Sequence, residues 1–102
     1  MDNLNVTVAD AEPVLVAVDG QIDSHTAVGL DDALAEIAAD RNVSVDLSAV
    51  SFIDSSGLRV LVRAEKRHSG GGGALTLLSP SEAVARLLEI TGLATELTID
   101  SP

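Results

Sequence analysis

Leu4, Val6 and Val8 alternate with polar residues, the period expected of an exposed or edge strand. Behind Pro13 comes Val14-Leu15-Val16-Ala17-Val18, β-branched and apolar on both faces, which predicts a central strand ended by Asp19-Gly20. Ala27, Leu30, Leu34, Ile37 and Ala38 then fall on one helical face, while Asp31, Asp32 and Glu36 point elsewhere. Asp23 and Ser24 are both favoured N-cap types and mark the expected start of that helix. Alternation returns at Val43, Val45 and Leu47, a strand expected to finish in Asp46-Leu47-Ser48. A separate short apolar stretch, Val50 to Ile53, leads into Asp54-Ser55-Ser56-Gly57.

From there Leu58, Leu61, Val62 and Ala64 give a helical pattern out to about His68, and Gly70 to Gly73 read as a flexible connection. Leu75-Thr76-Leu77-Leu78 is another strand. Ser79-Pro80-Ser81-Glu82 is a helix start, with Ser79 as N-cap, Pro at the first helical position and Glu at the third. Val84, Leu87, Leu88 and Thr91 carry this helix to Gly92, and Leu97 and Ile99 form a short last element. The order β-β-α-β-α-β-α predicts a single α/β domain over residues 1–102, with one mixed sheet flanked by helices. The first two strands pair as a hairpin, and parallel neighbours use the helical crossovers.

Composition narrows the function. Apolar residues make up 46% of the 102 positions and charged ones 22%, the balance of a chain that folds. Sixteen Asp and Glu against six Lys and Arg leave a net charge of −10. Such a surface repels phosphate backbones and anionic headgroups, so neither nucleic acid nor a membrane surface is an expected partner. With no Trp, no Tyr and one Phe, there is no aromatic platform for stacking bases. The absence of Cys removes disulfides and thiolate-ligated metals. The start, Met-Asp-Asn-Leu-Asn, lacks a secretory pattern, and the longest apolar run, Val14 to Val18, is far short of a membrane span. A soluble cytoplasmic protein is expected.

Asp54-Ser55-Ser56-Gly57 is the sharpest local feature. Its hydroxyls sit at a strand-to-helix turn, where unpaired backbone N–H groups and the positive end of the helix dipole collect. Turn and cap is one reading of these four residues; a chemical role is the other. A Ser-His hydrolase is disfavoured, because Ile53 or Asp54 stands where the nucleophile elbow needs Gly. His68 lies at the far end of the same helix, leaving His25 as the base within range. Gly70 to Gly73 is no phosphate loop, since no Gly-Lys-Ser/Thr follows. Asp19, Asp23, Asp46 and Asp54, at strand ends and turns, fit either capping or a magnesium site, with capping favoured. Four of the six cations, Arg59, Arg63, Lys66 and Arg67, lie along the helix after the serines. The stretch 59–67 carries +3 against −13 elsewhere, fitting either a solvated face or a docking stripe for an acidic partner.

The segment Val45-Asp46-Leu47-Ser48-Ala49-Val50-Ser51-Phe52-Ile53-Asp54-Ser55-Ser56-Gly57-Leu58 resembles the core signature of the STAS domain, above all that of the bacterial anti-sigma factor antagonists. Gly20-Gln21-Ile22-Asp23, followed by His25-Thr26-Ala27, is similar to the family's Gly-x-Leu/Ile-Asp step into the first helix. The resemblance runs from about Leu4 to Ile99, the core of the domain. It implies that the unphosphorylated protein binds an anti-sigma factor that is also a Ser/Thr kinase and so frees a sigma factor. That kinase would then phosphorylate one serine from ATP, and a serine phosphatase would reverse it. The family's acceptor is the second serine of the motif, here Ser56 rather than Ser55, and Asp23 matches the acid near that loop. The switch and partner surface implied is Asp23, Ser24, Asp54, Ser55, Ser56, Gly57, Leu58, Arg59 and Arg63, in a monomer or weak dimer without cofactor or catalytic residues. The alternative within the family is a scaffold of the stressosome or lipid-transport kind. Where relatives often place aromatics after the Gly-Leu step, Gly92-Leu93 is followed here by Leu97.

Overall fold

The computed structural model describes residues 4–101. The chain runs through β1 (Leu4–Ala9), β2 (Val14–Ile22), α1 (Ala27–Ala35), β3 (Asn42–Ile53), α2 (Ser55–Gly70), β4 (Ala74–Leu78), α3 (Glu82–Thr91), a 3-10 turn (Leu93–Thr95) and β5 (Thr98–Asp100). The strands lie side by side in chain order, β1 antiparallel to β2 and every later pair parallel. This is the expected mixed α/β sheet with its opening hairpin, completed by β5.

Strand order decides where the helices go. Each crossover steps in the same direction, and such crossovers are right-handed in nearly all proteins, so α1, α2 and α3 share one face of the sheet. Burial follows this. Val14, Val16, Val18, Ile22, Val43, Val45, Leu47, Leu75 and Leu77 form the core with Leu30, Leu34, Leu58, Leu61, Val84 and Leu88 of the helices. The opposite face of β2 carries Leu15, Asp19 and Gln21, all exposed, and Ala17, partly so. The Val14–Val18 run is therefore apolar on both faces but covered on one.

The expected break inside β3 does not occur. Asp46-Leu47-Ser48 and Val50 to Ile53 belong to one 12-residue strand. Against β2 its register slips between the pairs Ala17–Asp46 and Asp19–Ala49, and again between Gly20–Val50 and Gln21–Phe52. Each slip inserts one extra β3 residue, a bulge that reverses which parity faces inward. Burial accordingly passes from Leu47 to Val50 to Ile53, at intervals of three. At the first bulge the Asp46 carboxylate accepts from the Ser48 amide at 2.9 Å and its hydroxyl at 2.7 Å. β2 likewise continues past Asp19-Gly20 to Ile22: pairing with both neighbours at Asp19 and Gly20, and with β3 at Gln21 and Ile22, outweighs the local turn preference.

Helix boundaries differ in detail. α1 stops at Ala35, leaving Ile37 buried beyond its end and Ala38 exposed. Ser81, not Ser79, caps α3, accepting from the Val84 amide at 3.3 Å. Ser79 instead has φ 49° and donates its amide to the Asp100 carbonyl, tied to the neighbouring strand's end. Gly92 ends α3 at φ 75°, the left-handed stop expected of it. The glycine connection is a defined turn: the amides of Gly71 and Gly73 both donate to the His68 carbonyl.

Candidate functional site

The β2–β3 ladder ends with Ile22 opposite Ile53, so the next residues, Asp23 and Asp54, leave the sheet side by side. The Asp54 amide donates to the Ile22 carbonyl at 3.1 Å, holding the two loops together. Asp54, in extended backbone, is the N-cap of α2; its Oδ1 accepts from the amides of Ser56 at 2.9 Å and Gly57 at 3.3 Å. Gly57 is buried, and a Cβ there would stand 2.5 Å from Ile22 Cγ2 and 2.9 Å from Ile53 Cγ1. Only hydrogen fits, so the first turn of α2 is seated directly on the ends of both strands. Leu58 pins that turn into the core, Ser55 is exposed, and Ser56 is half-buried. Among the described residues neither serine hydroxyl has a hydrogen-bond partner.

Asp23 builds the adjoining turn. Its Oδ1 accepts from the amides of His25 and Thr26, both at 2.9 Å, while its own amide donates to Thr26 Oγ1 at 2.9 Å. The Thr26 hydroxyl donates in turn to the Gln21 carbonyl at 2.8 Å. Asp23 thus caps the turn 24–26, and regular helix begins only at Ala27. Ser24 is exposed on that turn. The Thr26 amide, then burial acting the other way, then the His25 amide leave the Asp23 carboxyl below its ordinary value. Thr26 is the site residue that sequence reasoning missed. The reciprocal Asp-x-x-Thr spacing, a relative of the capping box, is the signal that could have found it.

The basic residues of α2 do not form a uniform stripe. Arg67 reaches across to the end of α1 and donates to the carbonyls of Ile37 at 2.7 Å, Ala35 at 3.3 Å and Leu34 at 3.4 Å. Arg63 pairs with Asp31 of α1 at 3.6 Å. Arg59, one turn from the serines, is exposed. His68 is fully buried, and since a carbonyl can only accept, its Nδ1–H donates to the Arg41 carbonyl at 3.0 Å. Of the four aspartates, Asp23, Asp46 and Asp54 each bind their own turn; among the described residues no group of three or more metal-ligating side chains exists. Beside the turn at Asp54, Phe52, Ile53, Leu87 and Ile90 line an open groove of about 530 Å3 between β3 and α3. No described helix is long and apolar enough to cross a membrane.

Comparison with known proteins fits this architecture. The STAS domain family model matches residues 4–101. The anti-sigma-B factor antagonist of Staphylococcus aureus is 34% identical over 94 residues, covering 89% of this chain and 87% of that protein. The anti-sigma-F factor antagonist RsfB of Mycobacterium tuberculosis is 41% identical over 69 residues, 65% of this chain; the match spans 57% of RsfB. The crystal structure of an anti-sigma factor antagonist from Mycobacterium paratuberculosis superposes with a TM-score of 0.85 at 29% identity, covering 98% of this chain and 86% of that one. A mixed sheet ending in paired aspartate turns, with the Asp-Ser-Ser-Gly step seated on it, is thus found in a chain that belongs to the STAS domain family, among the anti-sigma factor antagonists.

Proposed function

We propose that this chain is an anti-sigma factor antagonist working by partner switching in the cytoplasm. Unphosphorylated, it binds an anti-sigma factor that is also a Ser/Thr kinase, and the sigma factor is released. The kinase then joins the Ser56 Oγ to the γ-phosphorus of ATP; the bond to the bridging oxygen breaks, ADP leaves and the hydroxyl proton is lost. A serine phosphatase restores the hydroxyl.

The observation that carries this reading is the state of Ser56. Its backbone is immobilised by the Asp54 cap and the close approach at Gly57, while its hydroxyl is uncommitted among the described residues. A phosphate of charge about −1.5 to −2 at a helix N-terminus suits the dipole, so the modification leaves α2 folded. The switch then acts at the surface: charge and bulk are added where the partner docks. Loss of two decades in affinity corresponds to about 2.7 kcal/mol, within reach of one misplaced charge in an interface.

Incubation with ATP and the anti-sigma kinases encoded near this gene, followed by mass mapping, is expected to place the phosphate on Ser56. Ser56→Ala should bind the kinase and resist modification, and Ser56→Asp should bind about a hundredfold more weakly. Equal calorimetric affinities for wild type and Ser56→Asp, or a phosphate mapped to another residue, would overturn the assignment.

A further inference from the structure

We infer that Arg59 is the built-in receptor for a phosphate on Ser56, so that modification both adds a negative charge and withdraws a positive one from the docking face. This rests on Ser56 being the acceptor. The two residues are three apart on α2, which puts their Cβ atoms about 5–6 Å from each other. Long side chains on a helix lean toward its N-terminus and cover the preceding turn, so the guanidinium of Arg59 sweeps over Ser56.

Two further observations make Arg59 the receptor rather than one neighbour among several. Three of the amides that would ordinarily hold an anion at this helix start are taken: Asp54 Oδ1 accepts from Ser56 and Gly57, and the Asp54 carbonyl accepts from Leu58. The other cations are engaged or distant. Arg41 pairs with Asp10 and Glu12, Arg63 with Asp31 and Arg86 with Glu82, while Arg67 is bound to three carbonyls of the α1 end. Lys66 lies ten residues along α2, about 15 Å at the helical rise. Among the described residues Arg59 has no ion pair. The remaining charged or titratable groups around the loop are Asp54 at the cap and Asp23 and His25 on the adjoining turn. Both carboxylates repel a phosphate, which drives it toward the guanidinium. A guanidinium also matches a phosphate with two parallel hydrogen bonds, a geometry an ammonium lacks.

The consequence is a switch with two effects from one modification. Before phosphorylation, Arg59 is the free cation beside an uncharged hydroxyl, on a chain that is otherwise acidic. Afterwards the cation is folded back onto the phosphate, and an acidic partner meets neither.

The test uses the full-length protein with phosphoserine installed at position 56 by semisynthesis, so no kinase is needed. In a 31P NMR titration at low salt, the second phosphate pKa is expected to be about half a pH unit lower in wild type than in Arg59→Gln. Arg59→Lys should retain part of that lowering, and 1 M NaCl should shrink it. The Arg59 Nε–H resonance of wild type should also move on phosphorylation, a readout that does not depend on any variant folding. An identical second pKa in wild type and Arg59→Gln, or an unmoved Nε–H resonance, would overturn the pairing. A kinase that modifies a different residue would overturn the choice of Ser56 while leaving this measured pair intact, so the two failures are separable.

Discussion

Gly57 and Asp54 do opposite jobs at the same turn: one removes atoms so that α2 can sit on the strand ends, the other supplies an acceptor to amides that the helix start leaves unpaired. Gly57→Ala must displace Ile22 and Ile53, and a destabilisation of about 1–3 kcal/mol is expected in urea unfolding. Asp54→Ala should cost about 1 kcal/mol through the lost cap. Asp23 gives a pH signature. Its carboxyl is lowered in the folded state, first by the Thr26 amide, so its stabilisation is complete above the ordinary aspartate value of about 3.9 and is lost as pH falls through the lower folded value. Unfolding curves across that acid range should show a shallower loss of stability in Asp23→Asn than in wild type; parallel slopes would assign the acid sensitivity elsewhere. The Asp-Ser-Ser-Gly turn is visible in the sequence because its polar residues stand between two apolar patterns. The role of Thr26 is legible only as the Asp-x-x-Thr spacing; the bond from its hydroxyl to the Gln21 carbonyl forms once the chain has turned at Asp23.

Arg67 shows how an element's end can be completed from another part of the fold. The Leu34 carbonyl already accepts from the Ile37 amide, and this side chain from α2 adds donors to Leu34, Ala35 and Ile37. Arg67→Met keeps much of the apolar stem and removes the donors. Faster hydrogen exchange is expected in the last turn of α1, with a loss of about 1–2 kcal/mol, while the amides of the α2 first turn keep their protection. On the helical wheel Arg67 resembles Arg63 and Lys66; its use differs because of what lies opposite it. The β3 bulges teach the same lesson. Periodicity assumes an unbroken alternation, and two single-residue insertions make one strand look like two.

The sheet as a whole is covered on one side. Leu77, with no exposed surface, and Leu15, 38% exposed, therefore predict different costs for the same change. Leu77→Ala should lose about 2–5 kcal/mol and Leu15→Ala less than about 1.5 kcal/mol in matched denaturation experiments. Similar losses would mean that both faces are packed. Charge is likewise a property of the entire molecule: two of the four cations of the local +3 stripe, Arg63 and Arg67, hold α2 to α1, and the cation left beside the serines is Arg59.

The order of strands and helices, the hairpin, the stop at Gly92 and the Asp54 turn all follow from apolar spacing and cap chemistry, which act over a few residues and so are written along the chain. The covered face, the bulge positions and the engagement of Arg67 follow from which strands become neighbours. Those contacts join residues far apart in sequence, and their partners exist only once the sheet has closed its register.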